Sequence, residues 1–333
     1  MTDLVPVAHP VDLSRFWPVA IVAVAVYVAA AAIVVRRLRR WLVARRASLV
    51  EIPPAATHQP PASTPRRIVE IAVLAAAALG LVAIAWAYHE PYTLDVATVR
   101  IPSAKLAGAA RPIRIVLLSD VHSDDQARLE EEIPSVVAGL RPDAIVFTGD
   151  AVNQDAGLPH FLRLMRALAA IAPTFAVRGN WDVWWFSNLR LFEDTGVRVL
   201  DGEAVPLQVD DRRVWFVGAP VEGHDQLWPA LAGVPREDPS VVLFHYPDVG
   251  ARALELGVDL ALAGDTHGGQ VRLPLLGPLI RIRRFGTYRE AGLHRIAGGY
   301  LYISRGIGME GGWAPRVRFL CPPELTVLEL VPK

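Results

Sequence analysis

Five apolar runs of this chain end on side chains that can bind a cation or carry a proton. IRIVLLSDVH ends on Asp120 and His122, AIVFTGD on Asp150, TFAVRGNWD on Asn180 and Asp182, VVLFH on His245, and DLALAGDTH on Asp265 and His267. Each has a local explanation when taken alone. An Asp-X-His pair can cap a helix and leave an imidazole at the surface. Gly-Asp and Gly-Asn are favoured turn pairs, and a lone His after a buried strand is more often a hydrogen-bonded core residue than a ligand. The set is more specific than its members. Carboxylate, amide and imidazole groups in about this number are what two hard or borderline divalent cations need, with one carboxylate bridging them.

The elements that carry these residues must bring them together. Segments 113–119, 144–148, 174–177, 214–218, 241–245 and 259–264 are short, apolar and mostly β-branched, and read as buried strands. Between them, ARLEEEIPSVVAGL and LPHFLRLMRALAAIA carry apolar residues at helical spacing. Strand-helix alternation predicts an α/β architecture, in which ligands gather at the carboxyl ends of strands. GGYLYISRG and ELTVLELV look like strands without intervening helices, so the sheet should be mixed. Nothing marks a second soluble domain.

The ordered motifs resemble those of the calcineurin-like metallophosphoesterases: Asp-X-His, Gly-Asp, Gly-Asn-His-Asp/Glu, His and Gly-His-X-His, met in order by residues 120–267. The segments YREAGLHRIAGGYLYISRGIG and RFLCPPELTVLEL are similar to the tail of the membrane-associated, YkuE- and YaeI-like subgroup. The resemblance covers about residues 110–331. It implies a four-layer αββα sandwich of two mixed sheets and a dinuclear centre. Asp120, His122, Asp150 and His267 would hold one metal and Asp150, Asn180, His245 and Asp265 the other, with Asp150 bridging. Asn180 and Asp182 are the candidate catalytic residues, Asp182 either orienting neighbouring groups or capping the following turn.

Two positions depart from that pattern. Asp265 stands where the family usually has His. A third carboxylate tilts the donor set toward Mn²⁺, Fe²⁺ or Mg²⁺ and away from Zn²⁺. Trp181 stands where the family often has a His thought to assist the leaving oxygen, and an indole offers no titratable proton. A leaving group of low pKa needs no such acid. Trp184, Trp185 and Phe186 in WDVWWFSN read first as core or interface aromatics, and otherwise as a dock for an acyl chain. His224, Asp225 and Arg305 are polar neighbours within reach of a substrate, but they read more simply as solvated loop residues.

The N-terminal quarter reads as a membrane hairpin, residues 1–89. Segments 16–35 and 71–88 are uncharged over 20 and 18 residues, the length a helix needs to span a bilayer. Trp17, Trp86 and Tyr88 lie at their ends, as interfacial aromatics do. Asp3 and Asp12 precede the first run and the basic cluster follows it, the reverse of a cleaved signal peptide. Arg36, Arg37, Arg39, Arg40, Arg45, Arg46, Arg66 and Arg67 all fall in the loop 36–67, which the positive-inside rule makes cytoplasmic. Its IPPAATHQPPASTP reads as a solvated linker. Both the N-terminus and everything after residue 90 are then extracytoplasmic, across a bacterial-type inner or plasma membrane. A linker is expected over 90–109 and the catalytic domain over 110–333.

Net charge is zero, but residues 1–89 hold nine Arg against four acids, while the remainder has 25 basic and 30 acidic residues. An acidic remainder speaks against nucleic acid as a partner, and no protein partner is inferable. The lone Cys321 forbids an intrachain disulfide. The expectation is a membrane-anchored dimetal phosphohydrolase. It would cleave a phosphodiester or phosphoanhydride through a metal-bridged hydroxide, with a phosphorylated small molecule or lipid-linked substrate. A UDP-2,3-diacylglucosamine pyrophosphatase-like enzyme of lipid A synthesis ranks second, because that substrate is cytoplasmic. A non-catalytic metal- or phosphate-binding membrane module is the alternative of another class.

Overall fold

The structure is a computed structural model that describes residues 11–12, 16–49, 64–282, 290–310 and 316–333. The chain forms two compact units, Leu13–Ala87 and Met1–Asp12 with Tyr88–Lys333. The first contains helix α1 (Phe16–Leu49) and most of α2 (Thr64–His89). Neither helix stops where its uncharged run stops. Arg has high helix propensity, so α1 runs on through the Arg cluster. Arg36 and Arg37 then bond the carboxylate of Glu70 on α2 at 2.6 and 3.1 Å. Gly80 lets Tyr27 approach α2 closely, since a Cβ there would lie 2.2 Å from the phenol oxygen. In the most apolar windows of the two helices only 11% and 6% of the residues are buried, so the apolar side chains face outward. Both helices are long and apolar enough to cross a membrane. The Pro-rich stretch 52–63 lies outside the described residues.

The second unit holds two six-stranded sheets. Strands β1 (Asp95–Ser103), β2 (Ile113–Leu118), β3 (Ala144–Phe147), β4 (Thr174–Ala176), β5 (Arg198–Val199) and β12 (Glu324–Pro332) form the first, in the order β1-β12-β2-β3-β4-β5. Strands β6 (Glu203–Val209), β7 (Arg212–Gly218), β8 (Ser240–Leu243), β9 (Leu260–Ala263), β10 (Gly292–Ile296) and β11 (Gly299–Ile303) form the second, in the order β10-β11-β9-β8-β7-β6. Both are mixed. β2, β3, β4 and β5 run parallel, whereas β12 is antiparallel to β2 and parallel to β1. β7, β8, β9 and β11 run parallel, flanked by antiparallel β6 and β10.

Three apolar cores make the layers. Ile115, Leu117 and Val146 of the first sheet meet Phe216, Val241 and Leu262 of the second. Opposite residues of the first sheet, Val116, Ile145 and Phe147, pack on α3 (Ile133–Leu140) and α4 (Leu158–Ala169). On the far side, Val217, Val242 and Ala261 pack on α6 (His224–Ala232) and α7 (Pro247–Glu255). Central strands covered on both faces read as near-continuous apolar runs: β3 and β9 are apolar at every position and β8 at all but its first, Ser240. This is the four-layer αββα sandwich.

The expected linker 90–109 is instead largely structured. DVATVRIPS forms the long strand β1, paired with β12 over nine residues. Its alternation of Val96, Thr98 and Arg100 with Ala97, Val99 and Ile101 is a strand signal, with Ile101 fully buried.

Candidate metal centre

The loops leaving β2, β3, β4, β8 and β9 meet at the carboxyl edges of both sheets, and all eight predicted residues there are buried. Asp120, His122, Asp150, Asp265 and His267 each hold a left-handed backbone, with φ of 50°, 44°, 63°, 71° and 50°. Non-glycine residues rarely adopt this conformation, and it concentrates where packing forces side chains toward a common point. Two glycines allow the crowding. At φ 106°, Gly149 lies where a Cβ would be 2.4 Å from the Gly179 nitrogen. A Cβ on Gly264 would lie 2.3 Å from an Asp120 oxygen.

Nε2 of His122 and Nε2 of His267 stand 3.2 Å apart, and His267 Nε2 is 3.6 Å from Asp120 Oδ1. Asp150 Oδ2 lies between two imidazoles, 3.5 Å from His122 Nε2 and 3.3 Å from His245 Nε2. Asp265 Oδ1 is 3.7 Å from the same His245 nitrogen. Two metal-sized groups result, Asp120–His122–His267 and Asp120–Asp150–His245. Asp120 Oδ2, Asn180 Oδ1, His122 Nδ1, His267 Nδ1 and His245 Nε2 are buried without a hydrogen-bond partner. Orphaned buried acceptors are costly. The imidazole nitrogens facing each other at 3.2 Å need a proton or a cation between them. His245 Nδ1 donates to the Thr148 carbonyl at 2.8 Å in the tautomer that leaves Nε2 its lone pair. The donor set, mixed nitrogen and oxygen without thiolate, fits divalent cations.

With the protein's own charges alone, the cluster is electrostatically divided. Burial holds His122 down to about 4, aided by the charges of His245 and Arg128, and lowers His267. Burial also opposes charge on His245, but Asp150, Asp120 and Asp265 outweigh it and push its pKa up to about 10. Burial raises Asp120 to about 7, whereas Asp150 is held below its ordinary value because the neighbouring imidazoles and the Trp181 amide outweigh burial. The Trp181 amide donates to Asp150 Oδ1 at 2.9 Å.

Asp182 has a different environment. On the short helix α5 (Asn180–Trp184), its Oδ2 accepts the amides of Asp150 and Gly179 at 2.9 and 2.8 Å, and its Oδ1 that of Ala151 at 2.8 Å. The carboxylate fastens the β3 and β4 loops together. Trp181 sets its ring edge against His122, with centroids 5.1 Å apart, and stacks on Phe186. Trp184 and Trp185 are exposed, so the core reading fails for them, while Phe186 packs partly buried on the α3–α4 core. Exposed Asp225 pairs with His224, and Arg305 is held by Glu324 and Asp95.

Sequence reasoning assigned no role to several supporting residues. Arg318, fully buried, donates to the carbonyls of Arg305, Gly306, Gly308 and Cys321. These carbonyls hold the 305–308 loop against Asp120, where Gly308 N reaches the Asp120 carbonyl at 2.6 Å. Asn153 and Arg128 both bond the His122 carbonyl, at 3.1 and 3.0 Å. Arg318 opens RFLC and Asn153 closes GDAVN, so both sat inside noticed motifs, but neither residue type announces a carbonyl-binding role.

Comparison with known proteins agrees with this geometry. A family model described as calcineurin-like phosphoesterase matches residues 113–269. The phosphodiesterase YaeI of Escherichia coli (strain K12) is 33% identical over 67% of this chain and 83% of its own length. The metallophosphoesterase YkuE of Bacillus subtilis (strain 168) is 28% identical over 73% of this chain and 87% of its own. A Danio rerio transmembrane protein with a metallophosphoesterase domain is 27% identical over 72% of this chain, which spans 58% of that protein. The order of strand-end ligands and the extent of shared sequence lead to one conclusion: this chain is a metal-dependent phosphoesterase belonging to the calcineurin-like phosphoesterase family.

Proposed function

We propose that the chain is a membrane-anchored phosphohydrolase that uses two divalent cations to cleave a phosphodiester or phosphoanhydride, on a lipid-linked substrate. The observation that carries this reading is the convergence of seven buried side chains able to ligate, five of which keep a buried nitrogen or oxygen without a hydrogen-bond partner. Asp120, His122 and His267 would hold one cation, Asn180, His245 and Asp265 the other, and Asp150, flanked by both sets, would serve each. Bound there, the cations would polarise the phosphoryl group and lower the pKa of water. Mn²⁺, Fe²⁺ or Mg²⁺ suits the three carboxylates better than Zn²⁺.

The chain's own residues do the rest. The bond from His245 Nδ1 to the Thr148 carbonyl turns Nε2 into the site, where it would ligate once its proton is displaced. Asp182 holds the amides that fix Asp150 and Asn180, and acts by positioning. Trp181 walls the site beside His122 and has no proton to give, so the leaving group must depart unprotonated. That favours a phosphoanhydride or an activated diester over an alkyl monoester. α1 and α2 would anchor the chain, with the Arg-rich loop cytoplasmic and the phosphoesterase unit outside.

The test is hydrolysis of bis-p-nitrophenyl phosphate by the full chain in detergent, stripped of metal and then given Mn²⁺, Mg²⁺ or Zn²⁺, beside Asp150→Ala. Metal-restored turnover that disappears in the variant is expected. Folded protein that takes up metal yet hydrolyses neither this diester nor a pyrophosphate would overturn the reading.

A further inference from the structure

Two leucines of the phosphoesterase unit stand in backbone conformations that suit Gly, Asn or Asp. Leu275 has φ 68° and Leu320 φ 51°. Both face water, Leu275 at 108% and Leu320 at 47% exposure, and Leu276 beside Leu275 is 52% exposed. Local strain and solvation both oppose leucine here. A position that violates both rules together is where a function is to be sought.

The hydrogen bonds tie these residues to Glu90, which directly follows the chain's second apolar helix. Leu275 and Leu276 form the tip of a hairpin between strands Arg272–Leu273 and Gly277–Pro278. The base of that hairpin is tied to Phe319, through Arg272 N to the Phe319 carbonyl at 2.8 Å and Phe319 N to the Gln270 carbonyl at 2.9 Å. The next residue, Leu320, donates its amide to the Glu90 carboxylate at 2.7 Å, and Cys321 does so at 2.8 Å. Glu90 directly follows His89, the last residue of α2. The hairpin is thus two hydrogen-bonded steps from the point where the apolar helix ends, and exposed Tyr88 and Tyr92 flank that point. In the other direction the hairpin leads into the metal-centre loop. Arg272 bonds the Gly268 carbonyl at 2.9 Å, and the Cys321 thiol donates to the His267 carbonyl at 3.4 Å.

We propose that the Arg272–Pro278 hairpin, with Leu320 beside it, dips into the bilayer at the exit of α2 and seats the metal centre at the headgroup layer. The occupant of this apolar surface is lipid, because the surface is tied by hydrogen bonds to Glu90, the residue that directly follows a helix apolar enough to span a membrane. Substrates are then drawn from phosphorylated headgroups in the plane of the membrane. The inference rests on the reading of α1 and α2 as membrane spans.

Cys321 is buried and the only cysteine, so an introduced surface thiol can be labelled selectively. Full-length Leu275→Cys and Val22→Cys, each carrying the polarity-sensitive dye NBD, are reconstituted into phosphatidylcholine–phosphatidylglycerol vesicles with doxyl-labelled phosphatidylcholine. Circular dichroism like the parent's establishes that each variant is folded. The expected result is blue-shifted, doxyl-quenched emission at both positions, with Leu275→Cys quenched more by doxyl near the headgroup than by doxyl near the chain end. Quenching at Val22→Cys alone would overturn the hairpin proposal and leave the anchor standing. Quenching at neither would overturn the membrane reading and the hairpin with it. A second comparison uses Leu275→Asp/Leu276→Asp: unchanged hydrolysis of bis-p-nitrophenyl phosphate, with the full chain's blue shift at a Leu320→Cys label lost, is expected. A retained shift would count against the wedge.

Discussion

Asp265 shows how one side chain retunes a shared arrangement. Its carboxylate stands 3.7 Å from His245 Nε2, and its amide donates to Asp120 Oδ1 at 3.0 Å, so backbone and side chain support different members of the cluster. Asp265→His should preserve the loop and move preference toward Zn²⁺ by about tenfold, or about 1.4 kcal/mol, because imidazole replaces a hard oxygen donor. Mass-spectrometric metal content after competitive dialysis against Mn²⁺ and Zn²⁺ reads the shift, and an unchanged ratio would refute it. His245 supports a second prediction. Its pKa of about 10 means that the imidazole is protonated at pH 8 before metal arrives. Coordination needs that nitrogen's lone pair, so uptake at pH 8 should release about one proton, and affinity should rise with pH until near pH 10. Calorimetry in buffers of differing ionisation enthalpy measures the release, and proton-neutral uptake is the contrary outcome.

At the scale of elements, short segments and buried polar groups do the positioning. α5 has five residues, too few to be stable by propensity. It is held by Asp182 and by the Trp181 amide on Asp150. Losing three amide bonds to a buried carboxylate should make Asp182→Ala less stable by about 2–3 kcal/mol, read as a lower urea midpoint. Activity should fall more than stability, since Asp150 loses its support. Equal losses in Asp182→Ala and in a remote variant of matched stability would show a merely structural role. Arg318→Met should strand four carbonyls over Asp120 and destabilise by about 3 kcal/mol, checked by the same titration. The buried strands were legible because parallel strands covered on both faces are apolar throughout. Strand β1 differs: it carries only the alternation of a half-buried strand, not an unbroken apolar run, and its partner β12 is over 200 residues away.

At the scale of the whole molecule, nine of the chain's basic residues fall in its first 89 positions, and eight of those lie between the two uncharged apolar runs. If that loop is cytoplasmic, alkaline phosphatase fused after Lys333 should be active in a bacterial host and a green fluorescent protein fused there should be dark. The reverse pattern would put the phosphoesterase unit on the cytoplasmic side. The candidate ligands were readable without a structure because their chemistry is local: Asp, Asn and His at the ends of apolar runs announce themselves by type and spacing. The apolar helices were readable for the same reason, since length and composition decide membrane compatibility. Other features depend on partners far apart in the chain. Nothing near Asp182 predicts that its carboxylate binds the amides of Asp150 and Ala151, about thirty residues earlier. Arg318 caps carbonyls of another loop, and Glu90 meets Leu320 and Cys321 across some 230 residues. The sequence by itself determined which groups could ligate and which strands were buried. Only the tertiary structure decided how those groups are held and which residues meet Glu90, because hydrogen-bond pairing across the fold leaves no periodic trace in the chain.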